Sequence, residues 1–93
     1  MNLVRILPSF ERSVKKLTSQ EKKLLAGGLE KFNTFLVTSQ ATLGFRFKKI
    51  NHDKYEFRID ARLRVVIKKV DDIYYLVIVG NHDKIKQYLR NFR

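Results

Sequence analysis

Cysteine and tryptophan are absent from the 93 residues, and proline occurs once. Without thiols the chain can form neither a disulfide nor a thiolate-bound metal site. Packing and backbone pairing must then stabilise it alone, as suits a cytoplasmic protein. Acidic residues are the next shortage: nine Asp and Glu stand against 20 Lys and Arg, a formal net charge of +11. Long apolar runs are missing too. The stretch MNLVRILPSF is interrupted by Arg5 and has no small-residue cleavage site, and nothing elsewhere is long enough to span a bilayer. Neither a signal peptide nor a membrane span is expected.

What is present is periodicity. Hydrophobic residues make up 44% of the chain, enough for a single domain over residues 1–93 with one modest core. The charge exceeds what solubility needs in a domain this small. A field of this sign attracts nucleic acid, anionic lipid or an acidic protein. A membrane-surface helix would gather its cations on one element. Here they are spread along the whole chain, which favours nucleic acid as the partner.

Leu3 to Leu7 reads as a short strand ended by Pro8, with Ser9 placed to cap a helix whose apolar stripe is Phe10, Val14 and Leu17. Thr18 and Glu21 have capping-box spacing and should open a second helix, striped by Leu25, Leu29, Phe32 and Leu36. Gly27 and Gly28 weaken that helix by roughly 1 kcal/mol each, which suggests that a neighbour packs closely against them. After the polar stretch Thr38 to Gly44 the period changes to alternation. Phe45 and Phe47, then Tyr55, Phe57 and Ile59 alternate with charged residues, and Leu63, Val65 and Ile67 alternate with Arg64, Val66 and Lys68. Ile73 to Val79 is continuously apolar, as in a central strand covered on both faces. Short turn sequences at Asn51–Lys54, Asp60–Arg62 and Asp71-Asp72 join these segments into an antiparallel meander. A last helix carries Ile85, Leu89 and Phe92. The expected fold is α+β: an N-terminal strand, a helical hairpin, a four-stranded antiparallel meander and a C-terminal helix, in the order β-α-α-β-β-β-β-α. The helices are expected to cover one face of the sheet. The tetrapeptide NHDK occurs at 51–54 and 81–84, but the flanking segments do not match, so it marks no repeat.

If the apolar positions of the meander face the helices, Arg46, Lys48, Glu56, Arg58, Arg64 and Lys68 share the opposite face. Like charges on strands about 4.8 Å apart repel, and a phosphate backbone would relieve them. An ordinary solvated face with Glu–Arg pairs across strands fits the same pattern. The cleavage of RNA needs a base for the 2′-hydroxyl, cations for the charge that develops on phosphorus oxygens, and an acid for the departing 5′-oxygen. His82, where the last strand becomes the last helix, is a candidate proton carrier, although a lone histidine can equally serve as a local cap. Glu56 can act as base or can order the arginines. Tyr88 either contributes to the site or packs beside Ile85 and Leu89. Lys84 joins Arg46, Lys48 and Lys68 as a candidate RNA contact. The two histidines and the scattered Asp residues lack ligand spacing, so no metal site is expected.

The run YEFRIDARLRVVIKKVDDIYYLVIVGNHDKIKQYL resembles the C-terminal half of RelE/ParE-superfamily toxins. Those proteins carry a tyrosine and basic residue on one strand, an R-[VL]-V motif on the next, an apolar strand, V-G-x-[HR]-[DE], and a tyrosine, in this order. The segment FERSVKKL resembles the start of their helical hairpin, so the likeness spans essentially the full chain. The resemblance implies the toxin of a type II toxin–antitoxin system, an endoribonuclease of the mRNA-interferase kind that cuts ribosome-bound mRNA without metal or cofactor. Glu56 and Arg58 fall where RelE itself often has lysines. Arg64 falls on the phosphate-holding arginine, His82 on the Arg or His after V-G, and Tyr88 on the tyrosine of the terminal helix. Glu in place of Lys, and His in place of Arg, is closer to HigB- or YoeB-like branches and leaves the identity of the base open. The resemblance also implies a cognate antitoxin, whose acidic or amphipathic tail would be steered to a chain of this charge. The rival within the superfamily is a ParE-like inhibitor of DNA gyrase with no nuclease activity. An inactive relative is a further alternative. A non-catalytic double-stranded-RNA-binding module is disfavoured, because that fold begins with one helix followed by three strands.

Overall fold

Alternation and helical stripes resolve into eight elements in the computed structural model, which describes residues 3–38 and 46–91, Arg46 by its backbone alone. They are β1 (Leu3–Ile6), α1 (Pro8–Lys15), α2 (Ser19–Thr38), β2 (Arg46–Lys49), β3 (Lys54–Arg58), β4 (Arg64–Val70), β5 (Ile73–Gly80) and α3 (His82–Asn91). The strands form one sheet in the order β1-β5-β4-β3-β2. The meander β2 to β5 is antiparallel, and β1 joins its far edge parallel to β5. Phe45, Phe92 and most of the stretch Thr38 to Gly44 lie outside the described residues.

Local chemistry accounts for the boundaries. The capping box forms as its spacing requires: the Thr18 amide donates to Glu21 Oε1 at 2.8 Å and the Glu21 amide to Thr18 Oγ1 at 3.1 Å. Asp60 Oδ1 accepts from the amides of Arg62 and Leu63 at 2.9 and 2.7 Å, closing the turn between β3 and β4. Between β4 and β5, Asp71 adopts φ 54°, a left-handed conformation that Asp tolerates better than most residues. The two NHDK segments are used differently. Asn81 caps α3 by accepting the Lys84 amide at 2.8 Å, whereas Asn51 accepts the adjacent His52 amide at 2.7 Å.

Ser9 does not cap α1. Leu7 occupies that position with Pro8 following, and the Ser9 hydroxyl donates to the Val77 carbonyl at 2.6 Å. One turn later the buried Ser13 hydroxyl accepts the Val79 amide at 3.0 Å and donates to the Phe10 carbonyl at 2.7 Å. β1 pairs with β5 only as far as Ile6 opposite Leu76, with the Leu7 amide reaching the Leu76 carbonyl. Beyond that point two serines one helical turn apart replace the missing strand as partners of the β5 backbone. A buried backbone group left unpaired would be costly. The same stretch of β5 carries an irregularity: Val66 opposes Ile78 but Ile67 opposes Leu76, so Val77 is the extra residue of a bulge.

The helices do not share a face. Phe10 of α1 and Leu25 and Phe32 of α2 pack with Phe57, Val65, Ile67, Tyr74, Leu76 and Val79. Ile85 of α3 packs instead with Val66 and Val77, beside Tyr88 and Leu89. Val65 and Val66 point to opposite sides of β4, so α3 crosses the face expected to be bare. An amphipathic stripe shows that a helix is buried on one side, not which layer it joins. Phe32 anchors α2 on the sheet, stacked on Phe57 with centroids 5.2 Å apart and edge-on to Tyr74 at 5.7 Å.

Only one of the paired glycines answers to close packing. A β-carbon on Gly28 would lie 2.8 Å from Ile59 Cγ1, whereas one on Gly27 would meet nothing within 4 Å. Gly27→Ala is therefore expected to stabilise by about 1 kcal/mol, raising Tm by about 4–8 °C for a domain of this size. Gly28→Ala should gain nothing or lose stability, because overpacking costs about 1–3 kcal/mol. Thermal melts of the two variants check this; equal gains at both positions would contradict it.

Candidate functional site

Strand register lines up the charged residues on the α3 face. Arg46 is opposite Arg58, Arg58 opposite Arg64, and Arg64 opposite Gly80, forming one row across four strands. In the next row Lys48 is opposite Glu56, then Val66 and Ile78. The third places Lys54 opposite Lys68 and Lys68 opposite Tyr75. α3 covers the β4–β5 part of this face through Ile85, leaving the arginine row beside the start of the helix.

Directly opposed side chains have β-carbons about 4.5–5.5 Å apart, so Arg58 and Arg64 set like charges against one another. Glu56 offsets part of this repulsion. Its Oε1 lies 3.7 Å from Arg64 Nη1, and both side chains are largely buried, 14% and 16% exposed. That separation makes an ion pair and not a hydrogen bond. Arg64 Nε is buried with no hydrogen-bond partner among the described residues. A donor left unpaired out of contact with water costs free energy, so the Arg64 side chain is held at this position against that cost. Arg58 is exposed. His82 opens α3 two residues beyond Gly80, its side chain 60% exposed and its Nδ1 3.9 Å from Asp83 Oδ1.

The remaining candidates separate from this row. Lys68 Nζ lies 3.8 Å from Asp53 Oδ2, and Lys54 Nζ lies 3.5 Å from Asp53 Oδ1. A turn residue that alternation could not assign to a face thus neutralises this end of the sheet. Lys48 is exposed on the edge strand. Tyr88 is half-buried and packs with the Val66–Val77–Ile85 cluster. It follows His82 by six residues, roughly 9 Å along the helix axis. Burial raises its pKa above the ordinary tyrosine value, and the Asp53 carboxylate adds to the rise.

Tyr88 and Lys84 line a cleft of about 220 Å³ between α1 and α3, together with Ser9, Arg12, Ser13, Lys16 and Ile78. Sequence reasoning passed over Arg12 and Lys16. Their i, i+4 spacing in FERSVKKL sets them on one side of α1, and that was the available signal. A larger cleft of about 340 Å³, beside Thr18, Leu24 and Asp60, holds none of the candidate residues. Among the described residues no cluster of three or more His, Asp or Glu is placed to hold a metal ion, and no helix is long and apolar enough to cross a membrane.

The fold is that of RelE- and YafQ-like toxins. A chain of the RelB–RelE antitoxin–toxin complex from Methanococcus jannaschii superposes with a TM-score of 0.68 at 17% identity, covering 90% of this chain and 96% of that one. For the Escherichia coli DinJ–YafQ complex the TM-score is 0.69 at 12% identity, covering 91% and 98%. A toxin from Helicobacter pylori gives 0.67 at 17%, covering 91% and 99%. No family model and no curated protein sequence matches the chain.

The raised pKa of Tyr88 has a definite sign for stability. The protonated hydroxyl is favoured in the folded state, so its contribution is complete below the unfolded value near 10 and is lost as pH rises through the higher folded value. Chemical denaturation between about pH 9 and 11 should show that loss in the wild type and a flatter alkaline limb in Tyr88→Phe. Identical limbs would contradict the assignment.

Proposed function

We propose that this protein is the toxin of a type II toxin–antitoxin pair, an endoribonuclease that cuts ribosome-bound mRNA and stops translation in the cytoplasm. The observation that carries the proposal is the arginine row ending at the first turn of α3, with Arg64 Nε buried and unpartnered. The solved RelB–RelE and DinJ–YafQ complexes support the toxin role and a cognate antitoxin as partner.

In the proposed mechanism Arg58 and Arg64 hold the scissile phosphate. The 2′-hydroxyl of the preceding nucleotide gives its proton to a solvent water acting as base and attacks phosphorus; a 2′,3′-cyclic phosphate forms as the bond to the 5′-oxygen breaks. His82 protonates that leaving oxygen from the exposed start of α3. The two guanidinium groups stabilise the dianionic transition state more than the monoanionic diester, which is the condition for catalysis. Glu56 acts chiefly by orienting Arg64, since its carboxylate already faces Nη1. Arg46, Lys48, Lys68 and Lys84 lie farther out as candidate contacts to the flanking strand.

Cleavage of a ribosome-bound mRNA by purified protein tests these roles. His82→Ala should slow the reaction by roughly 10²–10⁴. Arg64→Ala should lose a comparable factor. Glu56→Gln should retain more activity than either, because an amide can still orient a guanidinium. Wild-type rates in the His82 and Arg64 variants would refute the assignment. Growth arrest by a protein that cleaves no RNA would favour the gyrase-inhibitor reading.

A further inference from the structure

The cleft between α1 and α3 has an electrostatic arrangement that folding alone does not explain. Arg12 reaches it from the second half of α1, Lys16 from the position that caps the end of that helix, and Lys84 from the first turn of α3. Cations near the end of α1 suit its dipole. Lys84 does not, for the same dipole disfavours a cation at the start of a helix. Burial, and then the charge of the neighbouring Lys16 ammonium, hold the Lys84 pKa below the usual lysine value. Among the described residues none of the three cations stands in an ion pair. The Lys84 stem lies over Gly80, whose lack of a side chain leaves room for it: a β-carbon there would sit 3.2 Å from the Lys84 β-, γ- and δ-carbons.

We infer that this cleft is a second phosphate subsite, in which Arg12, Lys16 and Lys84 hold a phosphodiester of the RNA strand outside the scissile linkage. The inference rests on the RNA reading of the arginine row. Three donors that converge from two helices suit a tetrahedral anion with several oxygens better than a planar carboxylate with two. At about 220 Å³ the cleft falls below the roughly 300 Å³ at which small-molecule sites begin. It therefore takes a single anionic group and not a whole nucleotide. The serine hydroxyls do not compete, since Ser9 and Ser13 already donate to backbone carbonyls. Lys84 follows His82 by two residues, a spacing that sets side chains on different sides of a helix. A strand crossing the first turn of α3 would pass from His82 and Arg64 into the cleft, over amides that favour negative charge.

Binding of a fluorescent single-stranded oligonucleotide with 2′-O-methyl sugars, which offers no 2′-hydroxyl, tests the subsite apart from catalysis. Anisotropy is followed over a range of salt for the wild type, the Lys16→Gln/Lys84→Gln double variant, and a Lys22→Gln/Lys31→Gln control on α2 that removes the same charge. The cleft variant should bind roughly ten-fold more weakly at low salt whatever the base sequence. Its plot of log K against log salt should be shallower by about 0.7, the share of one phosphate on a single strand. The control should change little, and Lys16→Arg/Lys84→Arg should restore binding. Equal losses in cleft and control variants would overturn the proposal by showing only a net-charge effect. Unchanged oligonucleotide binding with lost binding of a polyglutamate peptide would overturn it in favour of an acidic protein segment. Failure of the protein to cleave mRNA would count against the proposed function alone, because this readout contains no cleavage step.

Discussion

Like charge opposed across neighbouring strands is the constraint around which this molecule is built. Register sets Arg46, Arg58 and Arg64 side by side, an arrangement that destabilises a sheet. The opposite face carries the load. Phe32, Phe57, Val65, Ile67 and Tyr74 form a continuous aromatic and branched core there, sealed by α1 and α2. Two carboxylates blunt the repulsion, Glu56 beside Arg64 and Asp53 between Lys54 and Lys68. The charge that remains on the arginine row lies beside the start of α3, where the proposed phosphate contacts fall.

The bulge and the serines of α1 determine where that uncompensated charge ends up. β5 is shared by both layers, with Leu76 and Val79 in one core cluster and Val77 in the other. The extra residue at Val77 disturbs the ladder, and Ser9 and Ser13 satisfy the adjacent backbone groups from the sheet edge. The same contacts bring α1 alongside α3, which creates the basic cleft. A structural solution to an interrupted strand thus places Arg12 and Lys16 within reach of Lys84.

Much of this was legible in the residues. Alternation in YEFR and RVVIK defined both strands and their polar positions, and the Thr18–Glu21 spacing set the start of α2. The resemblance of the C-terminal run to RelE/ParE toxins agrees with the fold observed. Three features were not legible, each for a physical reason. The stripe Ile85–Leu89 specifies a buried side but not a layer, so the crossing of α3 over the second face could not be foreseen. Asp53 sits in a turn, where period-two reasoning assigns no face. Arg12 and Lys16 become a site only through a contact between helices separated by the whole sheet in sequence, and charge spacing within α1 says nothing of its partner.

The central claim is that the arginine row and the start of α3 act together on RNA. The most direct measurement is induced expression in a bacterium, with primer extension on a translated mRNA, for the wild type and the His82→Ala/Arg64→Ala double variant. The account predicts growth arrest with new cuts inside codons of the message, both lost in the variant at equal protein level. Arrest without cuts, or cuts that persist in the variant, would contradict it.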